Sequence, residues 1–412
     1  MEHASYLYLA LLWIIGWGVV GAAVTPRIYG RKDLDVSQAS LAGAATGAAG
    51  GPFSLVPLWY LTPRLDWKWV AIPGVAIVLI FASAFAAADP DNLCVTTGSF
   101  VTTQLVNGLV IGTIYGLMAL GLTLIFSILG VVSFAHGEFY MLGGMAVYYL
   151  TAVWFPGLNP FIGVLGAATL TFTIGIIFER IFLRAMNTGQ VERPGEYAIL
   201  VTFGLAFFLQ YLTLALVGSS PKKAARFIEY PTIDLPSSQD PLFRVSASTI
   251  GIFDISISST RFTAAIIALV LLGGLMWFLY RTWTGKALRA VSQDRQAAAV
   301  TGINPNTMNT LAFGLGAMLA GLSGASLVQV FSWVPWVGVQ ASGRSFVIIV
   351  LGGMGSLPGA FIGGLIVGLV EALGAGCIPD PQRAAAYIPA YGMVILTLVL
   401  ILKPTGLFGR EL

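Results

Sequence analysis

GLVIGTIYGLMALGLTLIFSILGVVSFAHGEFYMLGG, Gly108 to Gly144, carries a single acidic residue, Glu138, and no lysine or arginine. Working outward, the same absence holds from Val101 to Phe178, and between Thr307 and Leu402 the charged residues are Arg344, Glu371, Asp380 and Arg383 alone. Apolar residues make up 57% of the 412, charged residues 9%, and the mean hydropathy is +0.85. No soluble core of this size needs that composition, so the chain reads as an integral membrane protein. Backbone groups in hydrocarbon must be satisfied within their own segment, so runs this long and rich in Leu, Ala, Gly and Phe are expected to be helices. The fold class is therefore all-α, a polytopic helix bundle. A net charge of +3 reflects loop basic residues and points to no nucleic acid.

A bilayer core of about 30 Å takes about 20 helical residues. That measure marks Tyr6–Val24, Trp69–Ala88, Val101–Leu129, Phe139–Phe155, Pro160–Phe178, Tyr197–Val217, Phe262–Tyr280, Met308–Phe331, Ser345–Gly353, Pro358–Leu373 and Ala384–Leu402, about eleven spans. Arg27, Arg31 and Lys32, then Arg180, Arg184 and Arg193, then Arg281 to Arg295, then Lys403 and Arg410 fall on one side when these alternate. The positive-inside rule makes that side cytoplasmic, with the N-terminus outside and the C-terminus inside. The first apolar run lacks a basic leader and is followed by arginines, as expected of a retained anchor.

Two segments fit the count poorly. Ser40 to Tyr60 is uncharged but dominated by Gly and Ala, and counting it as a crossing would put Arg27, Arg31 and Lys32 outside, so it reads as re-entrant or surface-lying. Ser345–Gly353 is short for a span and reads as a half-helix leading into the glycine-rich turn LGGMGSLPGAFIGG. Between Gly218 and Arg261 the alternating FRVSAS and FDISIS predict a small β-hairpin on the outer face, a docking surface for an extracytoplasmic protein.

The abrupt exception to the apolar background is Arg281 to Asn306, RTWTGKALRAVSQDRQAAAVTGINPN. Read as one helix, Arg289, Gln293 and Gln296 fall at i, i+4 and i+7 on a polar stripe, with Leu288, Val291 and Ala298 on another face. Two readings stand at this point: a helix presented to a partner in the cytosol, or a solvated loop whose basic residues hold the inside face.

Several stretches together resemble a known family. Gly108 to Gly144, the GKALRAVSQDRQAAAVTGIN island, SFVIIVLGGMGSLPGAFIGGLIVGLVEALGAG and the final LKPTGLFGR look like a permease subunit of the branched-chain amino acid ABC transporters. The likeness covers about Gly98 to Arg410, dividing the chain into an N-terminal extension of two spans, residues 1–97, and a permease domain, 98–412. It implies a heteromeric importer in the bacterial inner membrane, with two permeases, two cytoplasmic ATPase subunits and a periplasmic solute-binding protein. The cargo would be leucine, isoleucine, valine or a related small solute; relatives of this pattern also carry urea, amides or aromatic acids. It further implies that the island is a coupling helix flanked by Gly285 and Gly302, with Arg289 on its polar stripe and Ala290, Asp294, Ala298 and Gly302 at the matching positions. No GxxxxGK[ST] phosphate loop occurs, so ATP would be bound by a partner and this chain would hold no cofactor and perform no catalysis.

Outside the island, His136 and Glu138 in FAHGE lie at a membrane boundary, where ionisable groups are costly unless paired or wet. The functional reading makes them pathway groups; the structural one has Glu138 at the next helix N-terminus and His136 on a local carbonyl. With His3 the only other histidine, no metal set is visible. Glu371 lies inside an apolar run and should face the bundle interior, with Arg344 as its partner; the two serve either as pathway groups for a zwitterion or as a structural pair. The glycines at 112, 116, 121, 352, 353, 355, 359, 363, 364 and 368 read as helix-packing positions. Cys94 and Cys377 both fall on the outer side, either bridged or as separate buried thiols. The competing classes are an ion-coupled secondary transporter using His136, Glu138 and Glu371, and a membrane enzyme, which would need more clustered polar groups than the chain offers.

Overall fold

The computed structural model describes residues 97–187, 191–230, 233–234, 243–245, 248–252, 255–377, 381–402 and 405–409. The chain divides into two compact units, and the one formed by Ser99–Ala375, Ala386–Leu396 and Thr405–Leu412 holds the candidate site residues. The segment Ser40 to Tyr60 and the two N-terminal spans lie outside the described residues, as does Cys94, so its pairing with Cys377 is not addressed by the structure.

Helix α1 (Gly98–Leu129) is followed by α2 (His136–Tyr148), which continues through a π-helical stretch to Trp154. Next come α3 (Pro160–Phe178), prolonged by a π-helical turn and Arg184–Asn187, and α4 (Pro194–Val217). Strands β1 (Ile233–Asp234), β2 (Phe243–Val245), β3 (Thr249–Ile252) and β4 (Ile255–Ser258) precede α5 (Ser259–Arg281). The remainder is α6 (Trp283–Gln293), α7 (Arg295–Val300), α8 (Pro305–Leu327), α9 (Val337–Gly352), α10 (Leu357–Cys377) and α11 (Pro381–Leu402). Among the described residues six helices are long and apolar enough to cross a membrane, within α1, α3, α4, α5, α8 and α10, and Val337–Gly352 and Ile388–Thr397 are shorter apolar helices. The molecule is a mostly helical polytopic bundle.

Helix α8 packs on α2 and α3, and α9 packs on α2. The sequence allows this because small residues line the contacts. A methyl group at Gly143 of α2 would fall on the Gly321 backbone of α8, and one at Gly324 would fall on the Tyr140 carbonyl. Gly175 of α3 would place a Cβ 2.8 Å from Ala317 Cβ. In lipid, close backbone approach gains dispersion contacts that the hydrophobic effect cannot supply between helices. By contrast α4 is mostly exposed, showing Leu200, Phe208, Tyr211 and Leu216 at its surface. An apolar helix of that kind is suited to lipid or to a second membrane chain.

Helices α1 and α10 run antiparallel through a glycine seam. Gly108, Gly112 and Gly116 meet Leu369, Leu365 and Phe361 in turn, and a Cβ added at Gly368 would lie 2.5 Å from Gly112 Cα. The packing role read for Gly112, Gly116, Gly364 and Gly368 is therefore observed. Gly353 differs: its φ of 99° ends α9, and the chain then turns into α10. Leu407 N and Phe408 N donate to the Leu351 and Gly352 carbonyls at 2.9 Å, so the terminal GLFG stretch fastens this turn.

Three sequence expectations are corrected. First, FRVSAS and FDISIS do not pair with each other. The chain folds back three times, giving an antiparallel meander β1-β2-β3-β4 in which β2 and β4 each pair with the intervening TIGI strand. Second, α9 begins at Val337, eight residues before the expected Ser345, and Arg344 lies in its middle. The stretch VGVQASG is too mixed in polarity to register as a span, but Gly338 and Ala341 let it pack on α2. Third, the polar island is two helices, α6 and α7, and not one.

Candidate functional site

The island is broken at Asp294, between α6 and α7. Thr282 caps α6, its hydroxyl accepting from Gly285 N at 3.0 Å. Gly285 is buried where α6 doubles back on α5: a Cβ there would lie 2.6 Å from Leu279 Cα. Asp294 is extended, with φ −152° and ψ 111°, and its carboxylate accepts from Gln296 N at 2.8 Å and Ala297 N at 2.9 Å. Satisfying two orphan N–H groups of a six-residue helix, Asp294 is the N-cap that starts α7. Gly302, with φ 88°, closes it: Gly302 N bonds to Ala299 O and Ile303 N to Ala298 O, a Schellman arrangement. Asn304 then caps α8, whose first helical residue is Pro305.

This break means that Arg289, Gln293 and Gln296 do not form one continuous stripe. The apolar half of the reading stands, since Leu288, Val291 and Ala298 are buried against the bundle. Ala290 is partly exposed, and Arg289 lies over the Tyr280 ring with its guanidinium carbon 4.4 Å from the centroid. Facing outward are Lys286, Ser292, Gln293, Asp294 and Gln296, together with Trp283 at 71% and Val300 at 89% exposure. Two large apolar side chains left in the open at opposite ends of a polar, rigidly capped helix pair form a surface that a partner can cover.

The second group of predicted residues lies inside the bundle, in two places. At the α1–α2 corner, His136 is fully buried and its Nε2 donates to the Met118 carbonyl at 2.9 Å. That carbonyl belongs to the preceding helix and is not a local one, so His136 ties α1 to the start of α2. Glu138, in the first turn of α2, is 1% exposed, and its carboxyl packs on Gly338 of α9, where an added Cβ would lie 2.6 Å from it. Glu138 Oε2 and His136 Nδ1 have no hydrogen-bond partner among the described residues. Ser342 of α9 completes the joint, its hydroxyl accepting from Gly137 N at 2.9 Å and donating to Phe134 O at 3.1 Å.

The other place joins α1, α9 and α10. Arg344 Nε donates to Glu371 Oε1 at 3.1 Å, and Tyr115 OH donates to Glu371 Oε2 at 3.0 Å. The Arg344 guanidinium carbon lies 5.4 Å from the Tyr115 ring centroid. The predicted ion pair is thus present, and Glu371 faces the bundle interior with both oxygens engaged. Sequence reasoning missed Tyr115, because nothing in an apolar helix distinguishes a tyrosine that holds a carboxylate from one that packs. It also missed Glu179, 1% exposed and bonded by the Thr310 hydroxyl of α8. Its signal was there to see, an acid directly after the apolar run of α3.

The order of these elements has counterparts. Residues 104–403 match the family model described as the permease component of the branched-chain amino acid transport system. The chain belongs to this permease family. The permease is 33% identical over 314 residues to the high-affinity branched-chain amino acid transport system permease protein BraD of Pseudomonas aeruginosa, covering 74% of this chain and 95% of the relative. It is 30% identical to LivH of Escherichia coli K12 over the same shares of each chain. Against a probable LivH of Methanocaldococcus jannaschii the figure is 25% over 297 residues, or 72% and 88% of the two chains. No solved structure matches this permease.

Proposed function

We propose that this chain is the transmembrane permease subunit of an ATP-driven importer for branched-chain amino acids or a related small solute. It crosses a bacterial inner membrane about eleven times, with its N-terminus periplasmic and its C-terminus cytoplasmic. Residues 1–97 form an extension and 98–412 the transport domain. It works with a second, homologous permease, ATPase subunits that bind and hydrolyse the ATP, and a periplasmic solute-binding protein. It is itself neither an enzyme nor a cofactor carrier.

The observation that carries the reading is the α6–α7 pair. It is the polar segment between two apolar helices, its inner face is fixed to the bundle by Gly285, Leu288, Val291 and Ala298, and its outer face exposes Trp283 and Val300. A pair of short capped helices moves as a unit, so closure of an ATPase cleft on Arg289, Ala290 and Asp294 is passed to α5 and α8 as a rigid displacement. Substrate then passes between this chain and its paired permease, with His136, Glu138, Arg344 and Glu371 as the polar groups along or beside the route. The three relatives named above are branched-chain amino acid permeases, which favours this over an ion-coupled secondary transporter.

The test is a cysteine at Gln293 in a chain whose native Cys94 and Cys377 are replaced by serine. A membrane-impermeant thiol reagent should label it in inside-out vesicles and not in intact spheroplasts, and a short bifunctional cross-linker should join it to an ATPase subunit. Labelling from the periplasmic side would end the assignment.

A further inference from the structure

The ion pair at the α1–α9–α10 junction is unevenly used. Glu371 spends both oxygens, one on Arg344 Nε and one on the Tyr115 hydroxyl. Arg344 gives up only its Nε: among the described residues its two terminal nitrogens make no hydrogen bond, and its side chain is 26% exposed against 8% for Glu371. A guanidinium holds its donors in a planar fork, and with Nε fixed and the plane resting on Tyr115 the remaining pair points in a set direction. That free pair has the geometry that receives a carboxylate in two parallel bonds.

The surroundings fit a solute with one anionic head and an apolar body. Val339, Gln340, Gly343 and Phe346 make up the exposed stripe of α9, with exposed Trp336 just before its first residue, and Arg344 borders on it. Gly343, the residue before Arg344, opens onto free space, with nothing beyond its chain neighbours within 4 Å of where a Cβ would sit. Gln340 stands one turn from Arg344 on the same side, and Val339 and Phe346 are large apolar neighbours, 56% and 41% exposed. Urea and simple amides have no anionic group to match such a fork. Because Glu371 already neutralises the arginine's charge, the hold on a passing carboxylate is weak enough to release it.

Resting on the importer reading, we infer that Arg344 contacts the carboxylate of the transported solute as it passes α9, and that Glu371 and Tyr115 are positioning residues that aim it. The solute class is thereby a monocarboxylate with an apolar side chain, in preference to urea or an amide. Each Glu371 oxygen already accepts one bond, so the solute's ammonium group meets no unengaged carboxylate oxygen there.

The experiment measures two rates on the whole transporter reconstituted in proteoliposomes with its binding protein: ATP hydrolysis stimulated by the binding protein loaded with L-leucine, and uptake of labelled L-leucine. Arg344→Gln should lower leucine moved per ATP hydrolysed about tenfold, the loss of a charge-assisted bond made by the solute. Arg344→Lys, which keeps charge but not the fork, should fall between the two. Tyr115→Phe should give a milder loss of the same kind. If hydrolysis and uptake fall in parallel in every variant, or if uptake per ATP is unchanged in Arg344→Gln, the inference is overturned and the cluster is structural. Should the Arg344 variants not assemble, Tyr115→Phe decides alone: an unchanged uptake per ATP refutes the inference. A native complex whose ATPase does not respond to the loaded binding protein would instead sink the importer reading.

Discussion

Replacing Asp294 by alanine removes a side chain that is exposed and touches nothing but the backbone of its own short helix. Its carboxylate accepts from Gln296 N and Ala297 N, and loss of an N-cap of this kind costs about 1 kcal/mol, within a range of about 0.5–2. In a long helix that cost would fray one end. Here α7 has six residues, Arg295 to Val300, too few to be stable without caps or packing, and little ties it to the bundle beyond buried Ala298 and a bond from Arg295 Nη2 to Asn306 Oδ1 of α8 at 3.4 Å. A penalty of about 1–2 kcal/mol, a factor of about 5–30 in the folded population, therefore falls on α7 alone. The transporter should reach the membrane in native amount, with a melting temperature close to native, while ATP hydrolysis stimulated by the loaded binding protein drops about fivefold or more. Asparagine caps as well as aspartate, so Asp294→Asn should keep at least about half of native stimulation. If Asp294→Ala retains full stimulation, α7 transmits nothing. If Asp294→Asn is as impaired as alanine, the carboxylate acts by charge on a partner and not as a cap, and the rigidity of α7 is not what couples the permease to its ATPase.

Gly302→Ala forces a side chain into φ 88° at a cost of about 1–2 kcal/mol, and since nothing lies within 4 Å of the new Cβ the effect is purely conformational; Gly302→Asn should restore part of the lost coupling in the same hydrolysis assay. Gly368→Ala puts a methyl 2.5 Å from Gly112 Cα and should cost about 1–3 kcal/mol through the α1–α10 seam, read as a lower midpoint in thermal gel-filtration of the solubilised protein; an unchanged midpoint would deny the seam. Gly338→Ala drives its Cβ into the Glu138 carboxyl, so it should destabilise the α2–α9 joint, and pairing it with Glu138→Ala should recover more than half of the loss. Trp333→Phe leaves the Met141 carbonyl without its indole donor at 2.9 Å and should lower stability by about 1–3 kcal/mol in the same thermal measurement.

The buried polar groups of this permease are arranged by glycine. Glu138 sits where Gly338 makes room, and the α1–α10 seam that brings Tyr115 to Glu371 closes only because Gly108, Gly112, Gly364 and Gly368 carry no side chains. Specific polar contacts deep in a membrane protein are expensive to misplace, and close backbone approach is what holds their partners within bonding reach.

Several of these features were legible in one dimension. Uncharged runs of membrane length declared helices, because lipid offers no partner for a bare backbone, and the polar stretch between α5 and α8 declared itself by charge contrast. An acid at position 371 within an apolar run had to find a partner inside, and of the two basic residues in that stretch, Arg344 and Arg383, Arg344 was the one expected. Other features depend on contacts between segments far apart in the chain. Helices α6 and α7 share one amphipathic pattern, and only the Asp294 cap, read from its backbone angles, shows that they are two. Helix α9 reaches back to Val337 because α2 offers a small-residue face for it, a fact no hydropathy window contains. That Glu371 engages both oxygens while Arg344 keeps its two terminal nitrogens free follows from where Tyr115 points. Composition and periodicity decide which segments leave water; which side chain of a buried pair remains unsatisfied is decided by the third element packed against it.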